Sequence, residues 1–204
     1  MIEGDDRLAA VIAGIDAANA HDPNGVEVDD RLEPAALVYG RRMSKALARM
    51  VPDASEHVSI AARGQHVERW TSPRNSYPAG RIGYLSWRND LKRFHARRVG
   101  EIMAAAGYGT NDIERVCSLI CKERLKSDPE AQLLEDVACV VFLEHYLADF
   151  IAKTDQEKLA SILAKTWNKM SPLGHEHALK LALPAPVKAL LQSRLSQVKA
   201  PRWA

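Results

Sequence analysis

Helix-breaking residues cut this chain at helix-length intervals, and the stretches between them carry apolar residues at helical spacing. The breaks fall at Asp22-Pro23-Asn24-Gly25, at Pro52, through residues 71–80 (TSPRNSYPAG), at Gly107, at Asp128-Pro129, at Ser171-Pro172, and at Pro184 and Pro186. Proline removes a backbone donor and glycine tolerates positive φ, so each such point ends or starts a helix. Helices are expected over 7–20 and 33–50, the second with Pro34 at its first position. A third opens after Pro52, with Asp53 as cap and Glu56 completing a capping box, and runs to about Trp70. A fourth spans about 83–106 and ends at Gly107.

Thr110 or Asn111 opens a fifth helix, whose Ile113, Val116, Cys117, Ile120 and Cys121 form an i, i+3, i+4 stripe. The sixth starts at Asp128-Pro129 and reaches about Lys153. Thr154 with Glu157 forms a second capping box, for a seventh helix ending near Met170. A short eighth follows Ser171-Pro172, and an amphipathic piece covers about 187–198. No stretch sustains period-2 alternation. The expectation is an all-α, single-domain helical bundle over 1–184, with a C-terminal helical segment and tail over 185–204.

Composition excludes several classes. No apolar run approaches the roughly 20 residues of a membrane span, and the acidic opening Met1-Ile-Glu-Gly-Asp lacks the basic start of a secretory leader. Cys117, Cys121 and Cys139 are an odd count with no C-x-x-C spacing, which reads as reduced core thiols in a cytoplasmic protein. The net charge is only +2, yet Arg63–Arg98 holds nine basic residues against Glu68 and Asp90, a local charge of +7. A small anionic or phosphorylated partner at one place fits that split, with Arg63, Arg69, Arg74, Arg81 and Arg88 as its ligands. Tyr39 and Arg42, in Tyr39-Gly-Arg-Arg, either face the same pocket or pack the second helix.

Four ligand-type side chains lie on successive helices: His66, His95, Glu123 and Asp136. Oxygen and nitrogen donors of this kind suit a divalent metal such as Mn, Fe, Ni, Zn or Mg. A metal-bound water beside a cationic clamp could attack a phosphate ester, with Glu123 and Asp136 as the catalytic carboxylates. Asp136 sits in a helix that is apolar nearly all round, where a carboxylate needs a metal or a paired partner. The bland reading pairs it with an arginine.

Two resemblances follow from these residues. The run Arg98-Val-Gly-Glu-Ile-Met-Ala-Ala-Ala-Gly-Tyr, then Asp112-Ile-Glu-Arg-Val-Cys, then Pro129-Glu-Ala-Gln-Leu-Leu-Glu-Asp136, resembles the second half of HD-domain phosphohydrolases. That resemblance implies an HD-like fold and metal ligation by His66, His95 and Asp136, with Glu123 where a further ligand often lies. Val67 stands where that family has its eponymous Asp, and residues 33–50 hold no His. Over about 14–184 the chain is similar to the family called domain of unknown function 4202. Ile15-Asp-Ala-Ala-Asn, Gln65-His-Val-Glu-Arg-Trp70, Gly83-Tyr-Leu-Ser-Trp-Arg88 and Val141-Phe-Leu-Glu-His-Tyr carry it.

Three functions remain in view: a metal-dependent phosphohydrolase on a small phosphorylated or nucleotide-like anion, a non-catalytic module binding such an anion, and an RNA-binding protein. In the third, Trp70, Tyr77, Tyr84 and Trp87 would stack bases between arginines; otherwise these rings pack the 71–80 loop onto its flanking helices.

Overall fold

A computed structural model describes residues 4–185 and 187–189 and places nine helices and one β-hairpin among them. The chain divides into two compact units, Met1–Leu134 and Glu135–Ala204. The division falls inside a helix, whereas the boundary expected at 184/185 borders the undescribed residues. No described helix is long and apolar enough to cross a membrane.

The first unit holds α1 (Gly4–Asn19), β1 (Gly25–Val28), β2 (Arg31–Pro34), α2 (Ala35–Met50), α3 (Glu56–Gly64), α4 (Gly80–Ala105) and α5 (Thr110–Cys121). Short α3 is its centre and packs against α1, α2, α4 and α5. Small residues allow that crowding. A Cβ on Gly64 would stand 2.4 Å from Val99, and one on Gly40 would stand 2.9 Å from the Arg63 carbonyl oxygen. Val58, Ile60, Ala61 and Ala62 are buried on α3, with Val11 and Ile15 of α1, Met43 and Leu47 of α2, and Leu119 of α5.

The hairpin corrects the expectation of helices alone. β1 and β2 pair antiparallel with Val28 opposite Arg31, so Asp29 and Asp30 form a two-residue turn. Their φ values of 49° and 61° give it the positive-φ twist that tight hairpins favour. Asp22 then ties the hairpin to α2, its Oδ2 accepting from the Ala36 N–H at 2.9 Å.

Several helix ends also move. α3 is capped by Ser55, whose Oγ accepts from the Val58 N–H, and not by Asp53. It stops at Gly64, so Gln65–Glu68 is a turn, followed by single 3-10 turns at Arg69–Thr71 and Arg74–Ser76. α4 starts at Gly80, within the stretch read as loop.

Helix α6 (Pro129–His145) crosses into the second unit, which adds α7 (Leu147–Ala152), α8 (Gln156–Lys169) and α9 (Pro172–Lys180). The single helix expected to reach Lys153 breaks at Tyr146. Asp155, rather than Thr154, caps α8 by accepting from the Lys158 N–H at 2.8 Å. Val140, Leu147, Leu163 and Trp167 are buried, and Trp167 stacks on His175 at 3.8 Å between ring centroids. Of the amphipathic piece expected at 187–198, residues 187–189 are helical and the rest lies outside the described residues.

A carboxylate-free cationic cleft

The turn Gln65–Glu68, α4 and the end of α5 enclose a cleft of about 220 Å³. Its charged lining residues are Arg69, Arg88, Lys92 and Lys122, and among the described residues no carboxylate lines it. His66 and His95 share its wall.

The turn that carries His66 is pinned from three sides. Glu68 adopts a left-handed φ of 50°, and its N–H donates to Oδ1 of buried Asn19 at 2.9 Å. The Glu68 carboxylate accepts from Arg98 Nε at 2.8 Å. Val67 is fully buried, and its carbonyl accepts from His95 Nδ1 at 2.7 Å. The Val67 side chain therefore belongs to the core, and what it gives the site is a backbone oxygen. The His66 ring stacks on Tyr39 at 4.1 Å and lies 5.9 Å from the His95 ring. Gln65 Nε2 donates to the Tyr39 hydroxyl at 2.9 Å, which fixes that stacking partner.

Both imidazoles are held neutral. Burial pushes His66 well below the usual imidazole range, and the positive charges of Arg69, Lys122 and Arg88 act in the same direction, as does His95. Burial lowers His95 to about 4; the Val67 carbonyl opposes the shift and Arg69 adds to it. Arg69 is lowered by burial and by Arg88. Its guanidinium lies over the Trp87 ring at 4.9 Å, and among the described residues no carboxylate pairs with it. Arg88 donates to the Tyr84 hydroxyl at 3.1 Å and likewise has no carboxylate partner among them. A partly desolvated cation with no counter-charge is an unfavourable arrangement that a bound anion completes.

The expected anion ligands separate. Arg69 and Arg88 line the cleft. Arg63 is buried in α3 and grips Asp16 with two hydrogen bonds, Nε at 2.6 Å and Nη2 at 2.5 Å, and a third reaches Ser44. Arg74 donates to the carbonyls of Tyr77, Pro78 and Gly80 and so braces its own loop. Arg81 is exposed and does not line the cleft, nor does Arg42; Tyr39 serves it from behind His66. Lys92 and Lys122 were missed. Lys122 has φ 57° at the end of α5, and that left-handed residue lines the cleft while Glu123 is exposed.

The expected four-ligand metal set is not assembled. Among the described residues no group of three or more His, Cys, Asp and Glu is placed to hold a metal ion. His66 and His95 come together, but Glu123 does not line the cleft. Asp136 accepts from the Ser171 N–H at 2.8 Å and the Ser171 hydroxyl at 2.5 Å, within the second unit. The residues present do not fit a metal centre of that design. The aromatic rings are also engaged within the chain. Trp87 Nε1 donates to the Ser72 carbonyl at 2.9 Å, and the Tyr77 hydroxyl donates to Asp90 at 3.1 Å.

No curated protein and no solved structure matches this chain. Nothing among these comparisons links it to HD-domain phosphohydrolases. The family model of DUF4202, a domain of unknown function, matches residues 9–191, and the chain belongs to that family.

Proposed function

We propose that this chain binds a small phosphorylated anion in the cleft between the Gln65–Glu68 turn, α4 and the end of α5. The observation that carries the reading is Arg69, a half-buried cation stacked on Trp87 with no carboxylate partner among the described residues. Arg88, Lys92 and Lys122 surround the same space. Arginine offers a planar fork for two phosphate oxygens, and lysine adds a point charge. Two neutral imidazoles complete the lining without adding an anion to repel the ligand. This supports a binding module more directly than a metal-dependent hydrolase, because the donor set that such hydrolysis would use is not gathered at the cleft. The internal engagement of Trp87 and Tyr77 favours a small ligand over a stacked RNA strand.

Calorimetric titration with inorganic phosphate at low ionic strength tests the reading. Binding is expected in the wild type, and Arg69→Gln should weaken it roughly 10- to 100-fold, the worth of a charge-assisted hydrogen bond. Failure of phosphate and phosphate esters to bind, or an Arg69→Gln protein that binds as tightly as the wild type, would sink it.

A further inference from the structure

The cationic side chains of the cleft are donors only, and the dianion of a phosphate ester accepts only, so the two satisfy each other. One fully buried polar atom of a lining residue stands without a partner among the described residues. His95 Nε2 is buried and has no hydrogen-bond partner among the described residues. His95 is 2% exposed, the most deeply buried polar side chain lining the cleft. Its chemistry is fixed by its other nitrogen. The Val67 carbonyl can only accept, so Nδ1 at 2.7 Å carries the hydrogen, and in the neutral ring Nε2 holds a lone pair. The ring has little freedom to turn away, since Phe94 meets it edge-on at 5.5 Å and His66 lies at 5.9 Å. A dry acceptor in this wall asks for a donor; the dianion of a phosphate ester has none, and no described residue of the cleft donates to it.

We propose that the ligand is a phosphate ester bearing a free hydroxyl, with the phosphate held by Arg69 and its neighbouring cations and the hydroxyl donating to His95 Nε2. The proposal rests on the reading of the cleft as a phosphate site. The lowered pKa of His95 agrees with it, since at neutral pH the ring is an acceptor. The cleft of about 220 Å³ exceeds several times the roughly 30 Å³ share of one water, which leaves space for a short carbon chain. Specificity of this kind is steep, because a ligand without the donor leaves the buried nitrogen unmatched.

The test compares glycerol 3-phosphate with propyl phosphate at pH 7, two monoesters of similar length that differ in hydroxyl groups. Glycerol 3-phosphate should bind the wild type about tenfold more tightly. His95→Phe should abolish that preference, its glycerol 3-phosphate and propyl phosphate affinities becoming equal within about twofold. A nitrogen-resolved spectrum of the wild-type imidazoles guards against a variant that does not fold. The His95 Nε2 resonance should move upfield with glycerol 3-phosphate and stay in place with propyl phosphate. Equal affinity for the two esters, both weakened by Arg69→Gln, would overturn the hydroxyl assignment and leave the phosphate site standing. Binding of neither ester nor of inorganic phosphate would overturn both.

Discussion

Arg63 and Arg69 lie six residues apart and play opposite parts. Arg63 ends α3 facing Asp16, and its charge is spent on the fold. Arg69 follows the pinned turn and meets an aromatic face with no carboxylate. Charge counting along a sequence sees both as members of one basic stretch, because pairing is decided by which helix lies opposite. The same holds for His66 and His95. Their place beside the arginines was legible, but their neutrality comes from burial, which needs the fold. That neutrality has a pH signature. A histidine whose folded pKa is depressed binds protons more readily in the unfolded chain, so stability is complete above about 6.5 and is lost as pH falls toward the folded value. For His95 the window runs from about 6.5 down to about 4. Its share of the loss between pH 7.5 and 5 should be about 2 kcal/mol in urea titrations, and His95→Phe should remove that share. Asp128, held at about 2 chiefly by Arg115, gives up its contribution only below that window, which keeps the two effects apart. Saturating phosphate should lessen the acid loss, because an anion beside the imidazoles favours their protonated forms.

At the scale of elements, helices were legible wherever a break of Pro or Gly met an apolar stripe, as at α2 and α5. The hairpin was not. Val26 and Val28 alternate over only four residues, and the turn is Asp-Asp where Asn-Gly would have announced it. Local competition among neighbouring caps explains the shifted starts of α3 and α8. Asp53 and Ser55, or Thr154 and Asp155, are all good caps, and the choice depends on where the chain enters the core. The end of α5 hid Lys122 in the same way, since a left-handed residue redirects the side chains that follow from helical spacing. The hairpin turn offers a direct check. Asp30 holds φ 61° with a Cβ in place, at a position where glycine carries no such penalty. Asp30→Gly should therefore raise unfolding stability by about 0.5–1 kcal/mol in urea without altering phosphate affinity. A loss of stability would mean that the Asp30 side chain supports the turn in a way its backbone angle does not show.

For the whole molecule, Asp136 shows that order along the sequence does not by itself make a centre. One ligand-type residue on each of four successive helices suggests a common site, yet among the described residues no group of three or more is placed to hold a metal ion. The apolar surroundings that made this acid conspicuous do have a resident explanation. Asp136 is 1% exposed, and Ser171 gives it both a backbone and a hydroxyl hydrogen bond as the N-cap of α9. Gly174 lies so close that a Cβ there would stand 2.7 Å from Asp136 Oδ1, which makes the fit specific to a glycine. A carboxylate accepting such bonds organises the start of α9, as an acid near a helix N-terminus does through the dipole. A double-mutant cycle separates this role from metal ligation. Asp136→Ala and Ser171→Ala should each lower stability, Asp136→Ala by about 2–3 kcal/mol, and the pair should couple by at least about 1 kcal/mol. Chelator should leave these values unchanged. If the coupling vanished and chelator lowered the stability of the wild type alone, Asp136 would be a metal ligand after all, and its bonds to Ser171 incidental to that task.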